Sequence, residues 1–92
     1  MEENRWNGRI EKMMNRLDEP VPGETLVELY GGRRVLIEHH RGIIAYCREK
    51  IQIRGKHLVL CIQGSCMEIS RMSADVLVVS GKIDGIFLVR RD

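Results

Sequence analysis

Three observations predict a mainly β protein, a small antiparallel β-sandwich preceded by an N-terminal amphipathic helix. From residue 24 onward apolar and polar residues alternate with period two, and glycines recur near the ends of the apolar runs. The links between runs are a few residues long, whereas a parallel crossover needs about a dozen or more. A β-roll or a simple meander is the competing arrangement. It is suggested by a faint echo in which Ile53-Arg54-Gly55, Ile62-Gln63-Gly64 and Val79-Ser80-Gly81 each place a glycine two residues after an apolar side chain.

Ninety-two residues make one domain, near the lower end of what buries a self-sufficient core. The hydrophobic fraction of 43% argues against disorder, and a net charge of +2 is too mild a bias to imply nucleic acid. No apolar run approaches the roughly 18–20 residues of a membrane span, and the start of the chain, acidic and without a continuous apolar stretch, does not read as a secretory signal. The chain is expected to stay in the cytoplasm where it is made. Three cysteines without CxxC spacing, Cys47, Cys61 and Cys66, suit reduced, buried and inert thiols rather than a disulfide framework.

Residues 1–19 carry Trp6, Ile10, Met13, Met14 and Leu17, each three or four residues from another of the set, which is one stripe of a helix with Asn4 as its cap. The segment holds Arg5, Arg9, Lys12 and Arg16 against Glu2, Glu3, Glu11, Asp18 and Glu19. It is therefore slightly acidic, which favours docking on the sheet or on a partner over lying on a membrane. Pro20-Val21-Pro22-Gly23 ends the helix and forms a linker at 20–23, since proline lacks an amide proton and disfavours helical geometry before it.

The β domain fills residues 24–92, with strands expected at about 25–30, 33–38, 43–48, 50–54, 57–63, 66–70, 75–80 and 82–90. Gly31-Gly32 tolerates positive φ at both central positions of a hairpin turn. Alternation points Ile51, Ile53, Leu58, Leu60, Ile62, Met67 and Ile69 inward. Each such burial contributes about 1.5–3 kcal/mol, so this set outweighs any single turn interaction. The last two runs are apolar on both faces: Leu77 and Val79 oppose Val76 and Val78, and Ile83, Phe87 and Val89 oppose Ile86 and Leu88. Such strands sit between two layers or offer a patch to another chain, with the N-terminal helix as one cover and a homodimer contact as the competing one.

Sequence patterns for chemistry are weak. His39, His40, His57 and the cysteines could supply zinc donors, but structural zinc usually takes paired ligands two to four residues apart on tight turns, and only Cys61 and Cys66 come near that range. Cys47 beside His39 or His40 lacks an orienting third group and an oxyanion loop. Glycine-rich phosphate loops of the GxxxxGK[ST] or GxGxxG type are missing. No catalytic, cofactor-binding or metal residue is therefore expected. The basic strands at 48–56 support an alternative reading as a nucleic-acid-binding regulator. Sheet-based readers stack bases on clustered aromatics, however, and Tyr30, Tyr46 and Phe87 are scattered.

The turn His39-His40-Arg41-Gly42 joins two apolar runs and reads as a hairpin that sets the register of the sheet. Gly42 would supply a backbone geometry that a side chain blocks, leaving His39, His40 and Arg41 as exposed contact residues.

Glu38-His39-His40-Arg41-Gly42-Ile43 resembles the E-N-H-R-G-I/L turn of the YqfC branch of the YabP/YqfC sporulation proteins. As in that family, an apolar strand, a hairpin and a strand end with glycine two places after an apolar residue follow. Leu77-Val78-Val79-Ser80-Gly81-Lys82-Ile83-Asp84-Gly85-Ile86 is similar to the family's closing L-x-φ-x-G-K-I-x-x-φ, φ here denoting an apolar residue. The likeness covers about residues 25–90, and it departs at His39, where the family often has asparagine. The resemblance implies a small β-sandwich-like domain of endospore-forming bacteria, active in the mother cell, with no established reaction. It also implies a membrane-bound companion of the YqfD kind and a peripheral place at the membrane around the forespore. The expected function is thus an assembly or adaptor factor. Its expected contacts are His39, His40, Arg41, Ile86 and Leu88 on the sheet, and Trp6 and Ile10 on the helix.

Overall fold

The structure is a computed structural model that describes residues 22–91. The helix expected at 1–19, with Trp6 and Ile10, and the first half of the linker at 20–23 lie outside the described residues. Six strands follow in order: β1 (Leu26–Tyr30), β2 (Arg34–Glu38), β3 (Ile43–Tyr46), β4 (Lys50–Gly55), β5 (Leu58–Met72) and β6 (Val76–Arg90). They form one antiparallel sheet in the order β1-β2-β6-β5-β4-β3.

The sheet has six strands where alternation predicts eight, because Gly64 and Gly81 lie inside long strands rather than at turns. Both are places where backbones meet. A Cβ on Gly64 would stand 1.9 Å from the Lys82 carbonyl oxygen, and one on Gly81 would stand 2.7 Å from the Cys66 carbonyl oxygen. Glycine at these sites permits contact that any side chain would block. The β5–β6 register shifts between Gln63 and Gly64 and again between Ser65 and Glu68, where Cys66 takes a left-handed φ of 52°. Such bulges bend a strand and increase its twist.

That bend divides the two 15-residue strands into halves with different neighbours. The first half of β5 pairs with β4 and with the end of β6, while the start of β6 pairs with β2 through Arg34↔Ser80 to Glu38↔Val76. The sheet therefore behaves as two leaves folded face to face. Directly opposed residues share a face, so the register places Val35, Ile37, Leu77 and Val79 on the inner side of one leaf. It places Ile51, Ile53, Leu60 and Ile62 on the inner side of the other. Together with Met67 these nine side chains are fully buried in a single cluster, with Leu58 and Ile69 packed against it. The inward faces predicted from alternation are those observed. One sheet folded over itself is the roll-like arrangement rather than a sandwich of two separate sheets.

The linear meander fails at β2. Its neighbour across the sheet is β6 and not β3, so residues 39–42 do not form a hairpin but cross from one leaf to the other. The β1–β2 link does form the expected tight turn: Gly31 and Gly32 have φ of 58° and 69°, and the Arg33 amide donates to the Tyr30 carbonyl at 3.0 Å.

Candidate functional site

The strap at 39–42 is built largely from hydrogen bonds that hold the leaves together. His39 takes a φ of 60°, its amide donates to the Asp75 carbonyl at 2.8 Å, and its Nδ1 lies 2.9 Å from Asp75 Oδ1. The Thr25 hydroxyl donates to the His39 carbonyl at 3.1 Å. Arg41 donates through its amide to the Arg54 carbonyl at 2.7 Å, and the Arg54 amide donates to the Gly42 carbonyl at 2.9 Å. Gly42 has a φ of 115° with open space where a Cβ would be, so backbone conformation rather than room selects glycine here.

His40 corrects the sequence reading. It is 8% exposed, and both ring nitrogens are engaged. Nε2 lies 3.1 Å from the Ser73 carbonyl oxygen, which can only accept, and Nδ1 accepts from the Gly42 amide at 3.2 Å. These partners select the neutral tautomer with its proton on Nε2. The ring is buried because it bridges the strap to the β5–β6 turn. His39 and Arg41 keep exposed side chains, so two of the three expected contact residues of this turn remain at the surface.

The cysteines also differ from expectation, for Cys47 and Cys66 are exposed and Cys61 is half-buried, all three as free thiols. Cys66 sits on the bulge, where alternation no longer predicts a face. Among the described residues no three His, Cys, Asp or Glu side chains are placed to share a metal ion, and no helix is long and apolar enough to cross a membrane.

The surplus apolar surface lies at the end of β6. Beyond Ile83, whose amide donates to the Gly32 carbonyl at 2.8 Å, no strand among the described residues pairs with the outer edge of β6. Phe87, Leu88 and Val89 are 51%, 62% and 53% exposed on this stretch. Register separates them into two faces. Leu88 opposes the buried Leu60 and Ile86 opposes the buried Ile62, so this pair turns toward the interior; Ile86 packs against the core and Leu88 stays uncovered. Phe87 opposes Cys61 and Val89 opposes Val59, so these two look outward. The Phe87 ring leans over Gly85, where an added Cβ would come within 2.9 Å of it.

Leu88 also lines an opening of about 930 Å³ between the start of β1 and the end of β6. Val27, Leu58 and Leu88 form its apolar wall, and Lys56, Arg90 and Arg91 its cationic rim. The sequence singled out Ile86 and Leu88 as contacts but not Val27 or Arg90, and placed Lys56 only in the basic strands at 48–56, because the opening joins segments more than sixty residues apart. The turn at 39–42 contributes no side chain to it, so the two groups of expected contact residues on the sheet do not form one site.

A family model described as the YabP family matches residues 22–91. No curated protein and no solved structure matches the chain.

Proposed function

Because the chain belongs to the YabP family, we propose that it has a sporulation-associated role as a non-enzymatic assembly or adaptor factor, acting through protein–protein contact in the mother cell. The observation that carries the contact is the free outer edge of β6, with Phe87 and Val89 exposed on its outward face. An edge that offers unpaired backbone groups beside apolar side chains suits strand addition by a partner, with main-chain hydrogen bonds supplying affinity and alternate side chains specificity. The partner this reading favours is a membrane-bound sporulation protein of the YqfD kind, which would bring the chain to the membrane around the forespore.

The test is co-purification from sporulating cells of the intact protein, a Phe87→Glu, Val89→Glu variant and an Ile44→Glu control. All three positions are exposed, so circular dichroism should report an unchanged sheet. The double variant should lose a specific partner about tenfold, a change of roughly 1.4 kcal/mol. The Ile44 control should keep it. A folded double variant that retains every partner would exclude this face.

A further inference from the structure

The opening between β1 and β6 is where residues that face inward by register remain uncovered. Val27 lies opposite Ile37 and Leu88 opposite Leu60; both partners are fully buried, yet Val27 is 37% and Leu88 62% exposed. The inner face of the sheet therefore continues past its own cover. The chain also enters the sheet at this place. Lys56 Nζ donates to the Pro22 carbonyl at 2.9 Å, the Lys56 amide donates to the Thr25 hydroxyl at 3.1 Å, and Glu24 and Thr25 belong to the wall of the opening. Whatever precedes residue 22 is thus tethered at the rim.

The preceding segment has the matching chemistry. Its apolar stripe runs from Trp6 to Leu17, about 17 Å at helical rise. At helical spacing Glu11 and Asp18, seven residues apart, border that stripe on one side, while Arg5, Arg9, Lys12 and Arg16 gather on the other. The acidic border is complementary to the rim formed by Lys56, Arg90 and Arg91. Six chain steps lead from Leu17 to Gly23, a reach of about 20 Å when extended, so the tether lets the stripe turn back onto the sheet.

We propose that the stripe Trp6, Ile10, Met13, Met14 and Leu17 of the same chain docks into this opening, covering Val27, Leu58 and Leu88 with its acidic border against Lys56, Arg90 and Arg91. Docking uses the inner side of β6, whereas the partner contact uses the outward Phe87 and Val89. The test below involves no partner, so either idea can fail alone.

Trp6 is the chain's sole tryptophan and reports docking directly. In the full-length protein its emission should lie to the blue of the urea-unfolded chain, with severalfold weaker quenching by acrylamide, and neither should change on dilution. Leu88→Glu should move both readings to those of the unfolded chain while the β signal in circular dichroism persists. Met13→Asp should do the same, and Met13 precedes all six strands in the sequence, so a lost contact within the sheet would not explain its effect. Arg90→Glu, Arg91→Glu should weaken shielding most at low salt. Trp6 emission already equal to that of the unfolded chain overturns the proposal, as does shielding that survives both Leu88→Glu and Met13→Asp. Shielding lost on dilution would assign the stripe to a second copy, and a blue shift seen only with anionic vesicles would assign it to a bilayer; both results overturn it.

Discussion

Gly64→Ala is the substitution that most directly tests the reading of β5 and β6 as continuous strands meeting at a bend. The new methyl carbon would stand 1.9 Å from the Lys82 carbonyl oxygen and 3.0 Å from its carbon. Even a contact of 3.0 Å requires the two backbones to part by about 1.1 Å. The neighbouring ladder hydrogen bonds, near 2.9 Å when formed, then stretch beyond useful length. Losing two or three of them at about 1 kcal/mol each, with some loosening of the core around Met67, gives a cost on the order of 3 kcal/mol. Gly31→Ala is the appropriate comparison, since Gly31 has a φ of 58° but nothing within 4 Å of an added Cβ. Its cost is left-handed strain of about 1–2 kcal/mol, offset in part by the reduced freedom of the unfolded chain, and so about 1 kcal/mol net. Equilibrium urea unfolding followed by circular dichroism separates the two. With a slope near 1 kcal/mol per molar for a domain this small, Gly64→Ala should lower the midpoint by about 3 M and Gly31→Ala by about 1 M. A Gly64→Ala protein no less stable than Gly31→Ala would refute the close approach and the bent-strand account with it.

Four further outcomes are expected. Ile62→Ala removes a fully buried side chain from the shared core and should cost about 2–5 kcal/mol in the same urea assay, whereas Met72→Ala, at a largely exposed position outside the opening, should stay within about 0.5 kcal/mol. His40→Ala leaves the Ser73 carbonyl and the Gly42 amide without their ring partners and should cost about 2 kcal/mol by thermal unfolding. His39→Asn should be close to neutral, since asparagine tolerates the left-handed φ and the His39–Asp75 pair is exposed. The Tyr30 phenol is held above its usual value of 10.0, chiefly because its hydroxyl donates to the Glu28 carboxylate and, less, through partial desolvation and the negative charges of Glu28 and Glu38. A raised value in the folded state means that the contribution is complete below the unfolded value and is lost as pH rises through the folded one. Ultraviolet titration of Glu28→Gln should show this tyrosine ionising at lower pH than in the parent.

Much of the buried set was legible from alternation alone. Ile51, Ile53, Leu60, Ile62 and Met67 face inward as read, because successive side chains on a strand point to opposite sides whatever the strand pairs with. The paired positive φ of Gly31 and Gly32 was legible for the same reason, a turn being decided by its own residues. His40 was not, since its ring is buried by Ser73, thirty-three residues away. Nor were Gly64 and Gly81. A glycine that ends a strand and a glycine that admits a neighbouring backbone look alike until the neighbour is known.

The candidate surface divides along the same line. That the end of β6 is apolar on both faces is a property of residues 83–90 and can be read locally. Which face is covered depends on β2 stopping its pairing near Ser80 and on the bend that carries the end of β6 toward β1. Period two in a sequence determines which side of a strand is apolar, and so the composition of the core. Sheet order, the crossover at 39–42 and the exposure of Phe87, Leu88 and Val89 were decided by tertiary structure. Their cause is pairing through backbone groups that every residue shares, which leaves no local signature of the partner strand.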